Sequence, residues 1–161
     1  RHARERRRVD AQRDSHGFGQ LRGISAAGSD RLRSNVLARS GASICVCARS
    51  NLTLHGRLPL IEEFLDAGMN VALGTDSLAS SPSLNLFEEM AFVADKYPGL
   101  RPEIILTVAS RNGAKALGRS DLGTIKPGQT ARLIFVGLEA DSPEGAAQQL
   151  VLSRPTGVEW L

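Results

Sequence analysis

Two stretches of the chain are apolar at nearly every position over the length of a strand, and three others are apolar at every third or fourth position. ASICVCA (42–48) and NVALGTD (70–76) are of the first kind. Small and β-branched side chains without alternation predict short parallel strands covered on both faces by helices. The second kind predicts helices. LPLIEEFLDAG (58–68) turns Leu60, Ile61, Phe64 and Leu65 inward and ends on Gly68. SLNLFEEMAFVADKYPG (83–99) carries Leu84, Phe87, Met90, Ala91 and Ala94 on one stripe before Pro98 and Gly99 stop it. RPEIILTVASRNGAKALG (101–118) reads as a single helix opened by Pro102 and closed by Gly118. DRLRSNVLARSG (30–41) predicts a helix ahead of the first strand, and RSNLTLHGR (49–57) reads as a loop.

This alternation of helix and strand is that of βα units, so the fold class is α/β. Two parallel strands make no stable sheet alone, and the pattern therefore predicts a piece of a larger barrel or open sheet. Beyond about residue 120 the character changes. GTIKPGQTARLIFVGL (123–138) has a Lys-Pro-Gly-Gln turn with Pro127 and Gly128 at type II positions, then a strand from about Thr130. AAQQLVLS (146–153) predicts a short helix and TGVEWL (156–161) a final strand.

Charge separates the first quarter from the rest. Residues 1–40 hold ten arginines and four acids, a net of +6, whereas residues 41–161 carry ten basic and thirteen acidic residues, a net of −3. Residues 1–30 lack helical or strand periodicity, and residues 1–35 read as a basic leader, disordered or non-native. Without aromatic interleaving or a nucleic-acid fold signature, the arginines imply a solvated segment rather than a nucleic-acid interface. No apolar run reaches the ~20 residues of a membrane helix. Cys45 and Cys47, two residues apart, are too few for a disulfide framework and read as buried core thiols in a reducing cytoplasm.

The second strand raises the chemical question, because it runs into the carboxylate of Asp76. In βα architectures, functional groups gather at the C-terminal ends of strands. Asp76 stands at one such end, and Arg49, Ser50 and Asn51 stand at the other. From spacing alone, Asp76 is a turn residue, a helix cap or the ligand of a cation. No His-x-His pair, nucleophile elbow or Gly-rich phosphate loop accompanies it. Glu62, Glu63, Glu88, Glu89 and Glu103 fall on solvent faces or first turns of the expected helices.

Five segments then carry a resemblance: CARSN (47–51), NVALGTDSLASS (70–81), LNLFEEM (84–90), ASRNGAKALG (109–118) and LGTIKPGQTARLIFV (122–136). In this order and spacing they resemble the C-terminal part of the amidohydrolase-superfamily metal-dependent hydrolases, in the cytosine deaminase, chlorohydrolase, adenosylhomocysteine and aminofutalosine deaminase group. The resemblance implies that residues 36–120 are the last βα units of a (β/α)8 barrel and that 121–161 belong to a small composite β domain. It implies that Asp76 is both metal ligand and catalytic group, binding a divalent metal, most often zinc, and shuttling a proton as metal-bound water attacks. The substrate class implied is a small nucleoside-like or heterocyclic molecule that loses ammonia.

The sequence also departs from the family. Ala48 stands where proline is usual and Arg132 where aspartate is common, and the histidines that complete the metal site are absent. The expectation is a C-terminal fragment, inactive alone, of a hydrolase of non-peptide C–N bonds. The alternative is a non-catalytic remnant or interaction module of the same ancestry.

Overall fold

Ser43–Val46 forms β1 and Asn70–Leu73 forms β2, and the two pair in parallel with Ile44 opposite Val71 and Val46 opposite Leu73. A computed structural model describes residues 37–155 and 157–160. The basic leader and most of the helix expected at 30–41 lie outside the described residues; 37–39 are helical. A parallel pair needs a crossover, supplied here by α1 (Ala48–His55) and α2 (Ile61–Asp66). After β2 come α3 (Leu86–Lys96), α4 (Pro102–Ala109) and α5 (Arg111–Ala116). The strand β3 (Ile134–Phe135), the helix α6 (Pro143–Leu152) and the strand β4 (Glu159–Trp160) complete the described elements.

The two faces of the β1–β2 sheet differ. Val46, Val71 and Leu73 point into a core shared with Ile61 and Phe64 of α2, Met90 and Val93 of α3, and Ile105 and Val108 of α4. Each large aliphatic side chain fully buried there contributes about 1.5–3 kcal/mol. The opposite face carries Ser43, Cys45 and Ala72; Ala72 is covered, while Ser43 and Cys45 are exposed. The expected two-sided burial therefore holds for one side and fails at Cys45.

The helix ends follow local chemistry. Asn85 caps α3 by accepting the Phe87 amide at 2.9 Å, and Ser142 caps α6 by accepting that of Gly145 at 3.0 Å. Pro102 and Pro143 occupy first-turn positions where a missing N–H costs nothing. α6 packs on both α3 and α4, burying Ala147 and Val151.

The strand expected from about Thr130 is confined to Ile134–Phe135, and two further expected segments come out differently. RSNLTLHGR is not a loop: Ala48–His55 is helical, and Gly56 ends it with φ 62°. The helix expected over 101–118 breaks at Ser110, whose φ of −119° and ψ of −81° separate α4 from α5. The break lets Asn112 meet the free side of β2. Its Nδ2 donates to Val71 O at 2.9 Å, and Asn70 Nδ2 donates to Asn112 O at 3.1 Å. An edge carbonyl of β2 is thus satisfied by a side chain instead of a third strand.

β3 and β4 pair antiparallel, Ile134 opposite Trp160 and Phe135 opposite Glu159, with all four residues exposed. The Lys-Pro-Gly-Gln turn forms as expected: Gln129 N donates to Lys126 O at 3.1 Å, and Gly128 has φ 84°.

Candidate active site at the C-terminal ends of the parallel strands

The parallel ladder continues one step past β2, where Gly74 N donates to Val46 O at 2.9 Å. The chain then turns sharply. Asp76 has φ 60°, a left-handed conformation that costs a non-glycine residue energy, though aspartate tolerates it better than most. The turn leaves its carboxylate exposed at the strand end.

Two hydroxyls meet that carboxylate. Ser50, in the first turn of α1, donates to Asp76 Oδ2 at 2.6 Å, and Ser80 donates to the same oxygen at 2.9 Å. Their own oxygens lie 2.9 Å apart, and both serines are buried. The bonds from Ser50 and Ser80, in that order, lower the pKa of Asp76 below the usual carboxylate value, and the small desolvation opposes them. The charge therefore persists on acidification to a lower pH than for an ordinary aspartate.

Beneath this layer lies a second carboxylate with the opposite character. Glu89 of α3 is fully buried, at 0% exposure. Its Oε1 accepts the backbone N–H of Arg49 at 3.0 Å, and its Oε2 accepts Arg49 Nε at 2.6 Å. The first of these bonds caps α1. Cys47, at the N-cap, makes no side-chain capping bond, and a carboxylate forty positions away satisfies the amide instead. Arg49 also donates to Glu88 Oε2 at 2.9 Å and to Ser83 O at 3.1 Å. Ser83 Oγ donates to Glu88 Oε2 at 2.5 Å, and Glu88's pKa is lowered by Ser83 first and Arg49 next.

The structure thus brings together Asp76 and Ser50 of the expected strand-end residues. Arg49 is turned into the protein, Asn51 is half-buried and Ser77 is exposed. Ser80, Glu88 and Glu89 are added. Glu89 corrects the expectation of a solvent-facing glutamate, because Arg49 compensates its burial. Ser80 had one available signal: in SLAS it stands four positions after Asp76, the spacing of one helical turn.

The two thiols are also not core residues. Cys45 is exposed and Cys47 half-buried. The neighbouring Cys47 thiol brings the Cys45 thiol down to about 7, against burial and the charges of Asp76 and Glu89. The same contact, with burial and like charges, pushes Cys47 up.

As a ligand for a divalent metal, Asp76 has suitable chemistry: an accessible, ionised carboxylate. Among the described residues, however, no three His, Cys, Asp or Glu side chains converge to hold an ion. They supply one ligand of the family's kind of site and not the whole of it. No helix among them is long and apolar enough to cross a membrane.

Comparison with known proteins gives this geometry a context. The sequence pattern of the Amidohydrolase family matches residues 22–158. The chain is 40% identical over 82 residues to an aminodeoxyfutalosine deaminase of Deinococcus radiodurans, covering 51% of this chain and 20% of the relative. It is 38% identical over 163 residues to a 5'-deoxyadenosine deaminase of Methanoregula boonei, covering 92% of this chain and 36% of the relative. Among solved structures, an adenosine deaminase from Xanthomonas campestris with bound zinc superposes with a TM-score of 0.67 at 30% identity. That match covers 74% of this chain and 30% of the other. The chain therefore spans between a fifth and just over a third of the length of these relatives.

Proposed function

The chain belongs to the amidohydrolase family, and from that premise we propose that it forms the last βα units of a (β/α)8 hydrolase acting on non-peptide carbon–nitrogen bonds. In this reading residues 36–120 belong to the barrel and 121–161 to a small β domain. The substrate is an adenine-nucleoside-like molecule that loses ammonia, in keeping with the names of the relatives. The single observation that carries the proposal is Asp76: an exposed carboxylate at the C-terminal end of a parallel strand, held in a left-handed turn by two buried serine hydroxyls.

Each residue has a part in it. Asp76 is the ligand this chain gives to a divalent-metal site, with zinc the expected metal. The metal's chemistry when bound is to lower the pKa of a water toward neutrality and polarise the carbon–nitrogen centre. Ser50 and Ser80 donate to Oδ2, which fixes the plane of the carboxylate and keeps it anionic as a cation ligand must be. That stabilisation also weakens it as a base, and because both hydroxyls meet Oδ2, Oδ1 is the oxygen open to the cation or to a proton. Glu89 and Arg49 act one step further back, because their bonds fix the first turn of α1 and hence Ser50. With one ligand of its own, the chain is inactive alone.

The test is a chimera in which residues 37–160 replace the matching stretch of the Methanoregula boonei relative. Zinc content and ammonia release from 5'-deoxyadenosine are measured together. We expect a zinc-loaded, active chimera and a D76N form slowed by roughly a thousandfold, the middle of the range for losing a proton-transfer group. A folded, zinc-loaded and active chimera whose D76N form keeps full activity would remove Asp76 from the site.

A further inference from the structure

The exposed face of the β1–β2 sheet holds a second constellation. Cys45 and Cys47 are two residues apart along an extended segment, so their side chains leave the same face. The ladder places Gly74 across from them, and Gly74 has no side chain to intervene. A Cβ built there would lie 2.8 Å from Cys45 Sγ and 3.2 Å from Cys47 Sγ. Both sulfurs therefore lean over the same glycine, and neither is sealed in the core.

The geometry points to a dithiol site, formed by Cys45 and Cys47 over Gly74, that takes one soft monovalent cation of the copper(I) class. Three considerations select this ligand. First, a disulfide fits poorly. Extended residues two apart have Cα atoms about 6.6 Å from each other, at the far end of the range of about 4.4–6.8 Å that a disulfide spans. Second, the donor count is two. Among the described residues no third cysteine, histidine or carboxylate completes a metal-binding group, whereas structural zinc wants four ligands. Thiolates are soft donors that select copper(I) among the first-row ions, and a closed-shell monovalent ion is content with two of them. Third, the charges of Asp76 and Glu89 act on both thiols, which favours a cation in their place. Binding releases the two thiol protons, forms two metal–sulfur bonds and leaves the copper in its monovalent state, with no electron transferred.

The test is an anaerobic titration of the reduced chain with copper(I) supplied as its acetonitrile complex, in competition with a chromophoric copper(I) chelator. One ion per chain is expected, with C45S and C47S each binding on the order of a hundredfold more weakly, since loss of a mere supporting partner already costs about 10–100-fold. D76N removes one nearby negative charge and is expected to weaken binding by no more than about tenfold, well short of either serine form, so failure here stands apart from failure of the hydrolase reading. Affinity that survives in either serine form, or that falls as far in D76N as in the serine forms, overturns the site. X-ray absorption on the unsubstituted complex decides independently of whether the variants fold: two sulfur neighbours support the site, and one or none refutes it.

Discussion

The described residues form two two-stranded ladders, and these are held by different means. In β1–β2, four register pairs run in parallel, Val71 is 0% exposed, and helices α2, α3 and α4 share its inward side. In β3–β4, two antiparallel pairs present Phe135 at 55% and Trp160 at 79% exposure. Antiparallel pairing is at least as favourable per residue as parallel, so the difference in strength lies in what covers each ladder. Two consequences follow. The first ladder is rigid enough to hold a left-handed aspartate at its end, and strain of that kind persists only where surrounding contacts over-determine it. The second carries no titratable cluster and has no such support.

The largest effect expected from breaking this contrast is at Glu89. Glu89→Ala takes from the buried Arg49 guanidinium its fully buried counter-ion, leaving only the half-buried Glu88 carboxylate, and strips the cap from α1. Breaking a buried pair costs about 3–5 kcal/mol when the remaining charge has no other partner, and the contact with Glu88 sets the expectation at the lower end of that range. Denaturant unfolding reads the loss. Amide exchange reads its location, with protection falling across 43–73 while exchange at 134–135 and 159–160 stays as it was. Equal loss at both ladders would mean that they unfold as one unit and that the contrast is only one of exposure.

Glu89 also marks where sequence reasoning stops. The alternation of βα units, the two parallel strands, the Pro127–Gly128 turn and Asp76 at a strand end were all legible, because each is written in neighbouring residues. The helix Ala48–His55 was not, since its first turn buries Arg49 and Ser50, and a buried polar residue looks like a surface one until its partner is known. That partner stands forty positions away on α3. Glu89 misleads for the same reason, as two adjacent glutamates in a first turn suit a helix dipole in water. The break at Ser110 answers to Asn112 reaching the Val71 carbonyl, again a long-range need. Cys45 and Cys47 read as core because small apolar strands are usually covered, and here one face is not.

A smaller change sharpens the comparison from inside the core. Ile61, at 1% exposure, packs under the first ladder from α2. Ile61→Val removes one methylene, with little room for its neighbours to close the gap, and is expected to cost about 0.5–1.5 kcal/mol. The denaturant midpoint should shift without a change in slope, since compactness is untouched. A change in slope instead would locate the effect in the unfolded chain.

The smallest effect is expected where the side chain is largest. Trp160 is the only tryptophan of the chain, and it stands opposite Ile134 in the second ladder. Side-chain size alone suggests that its loss should rank with the worst, because a fully buried aromatic truncated to alanine costs about 3–5 kcal/mol. Burial decides otherwise. At 79% exposure Trp160 removes little apolar surface from water, and what remains is one cross-strand aromatic–β-branched contact, of order 0.2–1 kcal/mol. Trp160→Ala should therefore change the unfolding free energy by about 0.5 kcal/mol or less, below the effect of the single methylene at Ile61. The unsubstituted chain gives an independent check, as the fluorescence of its one indole should have the red-shifted maximum of a solvated ring and be readily quenched by iodide. A blue-shifted, protected indole together with a loss of several kcal/mol in Trp160→Ala would show that something covers the second ladder in solution, and the distinction between a packed ladder and an open one would then fail.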